Sequence, residues 1–84
     1  MYFFVTATMT HPEKAADYRE EETRVLNKLR AEGVVTAAYL RTDGQGLVGI
    51  VQGADLADVK TQVGRLPFVA NGLTAFDYAE VVPL

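Results

Sequence analysis

A chain of 84 residues, 49% hydrophobic with a formal net charge of -3, is one small domain that is rich in apolar side chains for its size. Its eight Lys and Arg residues are scattered among acids, which argues against a nucleic-acid partner because phosphate binding needs clustered cations. There is no cysteine, so disulfides, thiolate nucleophiles and cysteine-held metals are excluded.

The opening stretch alternates. Phe3, Val5, Ala7 and Met9 form an apolar face, while Tyr2, Phe4, Thr6, Thr8 and Thr10 form a mixed aromatic and hydroxyl face, the period-two signature of a strand. The apolar face is expected to meet helices. The mixed face, with Phe4 on it, is expected to line an interface or a cavity, and Phe4 is taken as a substrate-binding candidate. The stretch has no basic n-region and is too short and polar for a secretory signal or a membrane span, so a cytoplasmic protein with no membrane partner is expected.

Thr10 with Glu13 three residues on fits a capping box, and Pro12 suits a first helical turn. A helix is expected from here to about Glu32, closed by Gly33 as the C′ residue. At about 100° per residue, Ala15, Tyr18, Val25, Leu26 and Leu29 share one side, and Glu22 falls in the middle of it. Two readings of Glu22 are open. It bends to the rim or is satisfied by a buried partner, or it lines a cavity between helix and sheet, where desolvation makes it a proton carrier near neutral pH. His11, the only histidine, is an exposed first-turn residue or a substrate-binding one. No second histidine stands at ligand spacing, so no metal site is expected.

A second strand is expected over Val34 to Thr42, with Val35, Ala37, Tyr39 and Arg41 on one face. Asp43-Gly44-Gln45-Gly46 reads as a tight hairpin, and Leu47 to Gln52 as an antiparallel, apolar and therefore central third strand. The hairpin glycines form no phosphate cradle, since no helix follows them. Leu56, Val59, Val63 and Leu66 recur at helical spacing behind Asp55 and Asp58, so a second helix is expected over Asp55 to Leu66. Pro67 to Gly72 reads as a connecting loop. Leu73 to Val82 is the last strand, with Leu73, Ala75, Asp77, Ala79 and Val81 opposite Thr74, Phe76, Tyr78, Glu80 and Val82. Asp77, among apolar neighbours, is a candidate partner for Arg41.

The order βαββαβ over residues 1–84 is the ferredoxin-like α+β arrangement, a four-stranded antiparallel sheet with two helices on one face. The other face then carries Phe, Tyr and aliphatic residues, and a bare apolar sheet marks an association surface. A homo-oligomer is therefore expected, two sheets packed face to face in a dimeric α+β barrel that can assemble further. Heavy-metal carriage lacks its Cys pair, RNA recognition needs basic residues around its sheet aromatics where this chain is acidic, and an acylphosphatase-like loop is absent where Thr10-His11-Pro12 stands. Small-molecule chemistry without a cofactor, or ligand binding, remains.

Met1-Tyr2-Phe3-Phe4-Val5, the helix segment from Glu22 and Leu29 to Glu32-Gly33, Arg41 followed by Gly44, Leu66-Pro67-Phe68 and Val81-Val82-Pro83-Leu84 resemble muconolactone isomerase in the same order. The resemblance implies a ferredoxin-like fold in dimeric barrels assembled into rings, and isomerisation of a butenolide by an allylic proton shift. It places Glu22 on a family glutamate and Arg41 on a family arginine, so Glu22 is expected to shuttle the proton and Arg41 to clamp an anion or steady a dienolate, with a solvated strand-end residue as the other reading of Arg41. Tyr39 and Tyr78 are candidates for orienting a substrate oxygen, with ordinary packing as their other reading. Leu40 stands where the family has Trp, and Ala70-Asn71-Gly72 where it has Pro-Tyr-Met, which implies a more apolar, differently closed pocket. Two alternatives stand beside the isomerase: a cofactor-free monooxygenase or cyclase acting on aromatic polyketide-like substrates, and a ligand-binding barrel without chemistry.

Overall fold

The structure, a computed structural model, describes residues 1–84. Its elements run β1 (Tyr2–Met9), a 3-10 segment (Pro12–Tyr18), α1 (Arg19–Ala31), β2 (Val35–Leu40), β3 (Gly46–Gln52), α2 (Leu56–Val63), a single helical turn α3 (Pro67–Ala70) and β4 (Thr74–Val81). The strands form one antiparallel sheet in the order β2-β3-β1-β4, which is the ferredoxin-like arrangement the sequence order implies. The apolar β3 is central, as its composition requires. No helix is long and apolar enough to cross a membrane.

The core lies between the helices and the Phe3 side of the sheet. Phe3, Val5 and Val51 from the strands pack with Leu29 of α1 and with Val59 and Val63 of α2. Phe76 and Tyr78 join them from β4, so the alternation read from the sequence holds there. Tyr2 and Phe4 point to the opposite, open face and are 38% and 41% exposed. Of the apolar positions read in the second helix, Leu56 is 38% exposed and stands apart from the core.

Four local details differ from the sequence reading. The capping box does not form: the Thr10 hydroxyl donates to the Gly72 carbonyl at 3.4 Å, and the Thr10 and His11 N–H groups both donate to Leu73. Position 10 is thereby tied to the lead-in of β4, His11 becomes the N-cap residue without a side-chain cap bond, and the first seven helical residues wind as 3-10 before α1 begins. The second strand carries a bulge between Val35 and Ala37, so Val35 pairs with Val51 on the core side while Ala37 pairs with Ile50 on the open side. The extra residue, Thr36, donates its hydroxyl to the Ile50 carbonyl at 3.2 Å. Residues 67–70 are a helical turn rather than loop, because Pro67 occupies its first position with φ already preset. Arg41 and Asp77 do not pair, since β2 and β4 are opposite edges of the sheet; Arg41 pairs with Asp43 instead.

The helix ends otherwise follow the sequence signals. Gly33 has φ 80, and the bonds Val34 N–H to Leu29 and Gly33 N–H to Arg30 make the Schellman closure of α1. Asp55 caps α2 by accepting from the Asp58 N–H at 2.8 Å, and Asp58 in turn accepts from Ala54. At the other ends of these helices, the Arg65 guanidinium grips both oxygens of Glu32 at 2.7 and 2.8 Å.

Candidate active site

Between α1 and the sheet lies a cavity of about 520 Å³. It exists because the strand positions beneath α1 carry little side chain: Ala7, Ala38, Gly46 and Gly49 form much of its floor. Gly49 is held to glycine by close approach, as a Cβ there would lie 2.5 Å from the Ala37 carbonyl oxygen of the bulged strand. Hydrophobic residues make up 16 of the 25 that line it, the apolar character expected of this pocket. The facing wall is one stripe of α1, Arg19, Glu22, Thr23, Leu26 and Arg30, recurring at helical spacing.

Glu22 is the only acid in the lining. Its Oε1 accepts from the Phe68 backbone N–H at 2.9 Å, an N–H in the first turn of α3 that has no intrahelical acceptor. Leu66, the N-cap residue of that turn, offers no side-chain acceptor, so Glu22 supplies it from across the cavity. Oε2 has no protein partner. Burial pushes the Glu22 carboxyl above its ordinary value of 4.5, and the Phe68 N–H opposes that shift in part. The two sequence readings of Glu22 thus both describe part of its geometry: the carboxylate has a satisfying partner, and it lines a largely apolar cavity.

The other candidates are dispersed. Arg41 follows β2 in the hairpin, exposed, with its Nη2 2.5 Å from Asp43 Oδ2; it lies in sequence between the lining residues Leu40 and Gly44 but contributes nothing to the lining. Tyr39 is 66% exposed and does reach the lining. Tyr78 stacks on Phe76 with ring centroids 5.9 Å apart, has Lys60 Nζ over its ring 5.7 Å from the centroid, and lies outside the lining. Burial pushes its phenol up. Phe4 belongs to the open sheet face, away from the cavity. His11 is outside the lining too, its Nδ1 3.2 Å from Glu13 Oε1. No group of three or more His, Cys, Asp or Glu is placed to hold a metal ion.

Sequence reasoning missed Arg19, Arg30, Phe68 and Thr74. The two arginines were legible, since they fall at i-3 and i+8 from Glu22 on the same helix side. Phe68 takes part through its backbone, for which no residue pattern exists. Thr74 lines the cavity with a buried hydroxyl that has no hydrogen-bond partner.

No family model matches the chain, and no curated protein matches it by sequence. Solved structures do. Muconolactone isomerase aligns over 100% of this chain and 91% of its own, with a TM-score of 0.81 at 15% identity. 5-Chloro-2-hydroxyhydroquinone dehydrochlorinase from Burkholderia phenoliruptrix AC1100, in complex with 2,5-dihydroxybenzoquinone, aligns over 98% of this chain and 94% of its own, with a TM-score of 0.79 at 18% identity. The chain therefore has the α+β fold of muconolactone isomerase, shared over its whole length.

Proposed function

We propose that this protein is a cofactor-independent isomerase of the muconolactone type, moving a proton within a small lactone or other enolisable molecule in aromatic-compound catabolism. The observation that carries this reading is Glu22, the lone acid of an apolar cavity, raised above its ordinary pKa by burial. The Glu22 carboxylate takes a proton from an activated carbon, and the C–H electron pair passes into the conjugated system as a dienolate. The resulting carboxyl returns the proton to the far carbon, which shifts the double bond and restores the carboxylate. No electron is gained or lost, and no atom leaves. The Phe68 N–H holds one oxygen still while Oε2 faces the substrate. Raising the pKa makes the carboxylate a stronger base for the first half-step, and the carboxyl it forms carries the proton back in the second.

Arg41, paired with Asp43 outside the lining, is proposed as an accessory cation that draws an anionic substrate toward the mouth of the cavity, where Tyr39 lies. A second reading draws on the near-equal likeness to the dehydrochlorinase. It keeps Glu22 as base and lets the electron pair expel chloride from a chlorinated ring. The setting proposed for either reaction is the cytoplasm, and the assembly a homo-oligomer joined through the open sheet face.

Steady-state kinetics test the reading. Glu22→Gln should lower kcat by about 10²- to 10⁴-fold on a butenolide, the usual contribution of a positioned proton carrier. The wild-type rate should rise with pH through a value above 4.5. A variant as fast as wild type would remove Glu22 from the chemistry.

A further inference from the structure

The chain has five arginines, and their partners divide them cleanly. Arg24, Arg41 and Arg65 are each paired with a carboxylate, Glu21, Asp43 and Glu32, and none of the three lines the cavity. Arg19 and Arg30 have no carboxylate partner, and both line it. In an acidic protein, with Glu20, Glu21 and Glu32 on the same helix or its end, two guanidiniums on the cavity stripe that no carboxylate occupies are free to take an anion from the cavity. Along the helix axis Arg19 stands roughly 4.5 Å from Glu22, and Arg30 roughly 12 Å beyond it on the other side. Neither neutralises Glu22, whose shift is set by burial and the Phe68 N–H alone.

We infer that Arg19 and Arg30, rather than Arg41, are the residues that hold the carboxylate of an acidic substrate in this cavity. Arg30 anchors the carboxylate at the end remote from Glu22. Arg19, one turn from Glu22, faces the oxygen on which charge collects when the proton leaves. The inference rests on reading this cavity as the substrate site, but it concerns recognition and needs no turnover to be tested.

The experiment is binding of muconolactone and of benzoate, each against its methyl ester, to wild type and to Arg19→Gln, Arg30→Gln, Arg41→Gln and Arg24→Gln, followed by NMR titration. All four positions are exposed, so the variants should fold, and each removes one positive charge. Wild type should favour at least one acid over its ester by about tenfold or more, as a charge-assisted bidentate contact provides. That preference should collapse in Arg30→Gln and weaken in Arg19→Gln, with ester affinity unchanged and Arg24→Gln like wild type. Equal binding of acid and ester, binding of neither acid, or a preference that survives both substitutions would overturn the inference, as would its loss in Arg41→Gln alone. Because Glu22 is intact throughout, failure of proton transfer in Glu22→Gln kinetics is a separate outcome.

Discussion

Glu22 concentrates the physical tension of the molecule in one side chain. An ionised carboxylate in an apolar cavity is disfavoured, yet this one also supplies the acceptor that α3 lacks. A carboxyl with a raised folded value binds more protons folded than unfolded between 4.5 and that higher value, so stability falls as pH rises across the window. Below it the penalty is absent, and above it the full penalty persists. Glu22→Gln keeps an oxygen for the Phe68 N–H and removes the charge. Urea denaturation should therefore find the variant gaining on wild type between pH 4 and pH 7, and an unchanged difference would contradict the raised pKa. The position of Glu22 was legible because helical spacing places it among Leu29, Leu26 and Ala15. Its partner was not, because an N–H group leaves no trace in residue identity.

Elements with a strong period were legible and those set by a competing bond were not. β3 and β4 announce themselves by alternation or continuous apolar character, and α1 ends where Gly33 permits a left-handed residue. The 3-10 segment and the bulge in β2 arise from tertiary bonds: Thr10 to Gly72 draws away the would-be cap, and Thr36 bonds to Ile50 out of register. The bulge also brings the Ala37 carbonyl against Gly49 and so fixes the cavity floor. Gly49→Ala should cost about 1–3 kcal/mol, the usual penalty of overpacking, because the neighbour to be displaced is backbone. A denaturation midpoint equal to wild type would show that β2 yields freely.

At the scale of the whole molecule, an 84-residue chain leaves one face of its sheet bare, with Tyr2 and Phe4 substantially exposed beside Ile50 and Ala79. The fold itself was legible from element order alone, since βαββαβ with short connections admits few topologies. What covers the open face was legible only as a need. Self-association through that face predicts that wild type sediments as a dimer or larger, and that Phe4→Lys, which sets a charge in its centre, sediments as a monomer while retaining its circular dichroism. A wild type that stays monomeric at millimolar concentration, or a Phe4→Lys assembly unchanged from wild type, would contradict it.

Proton transfer by Glu22 within the cavity is the central step of the proposed function. The most direct measurement is proton NMR of muconolactone in deuterated water with catalytic amounts of wild type and of Glu22→Gln. Wild type should isomerise the lactone or exchange its allylic hydrogen, and the variant should do neither above the uncatalysed rate. Wild type that leaves the lactone untouched, or a variant that works as well as wild type, would contradict proton transfer by Glu22.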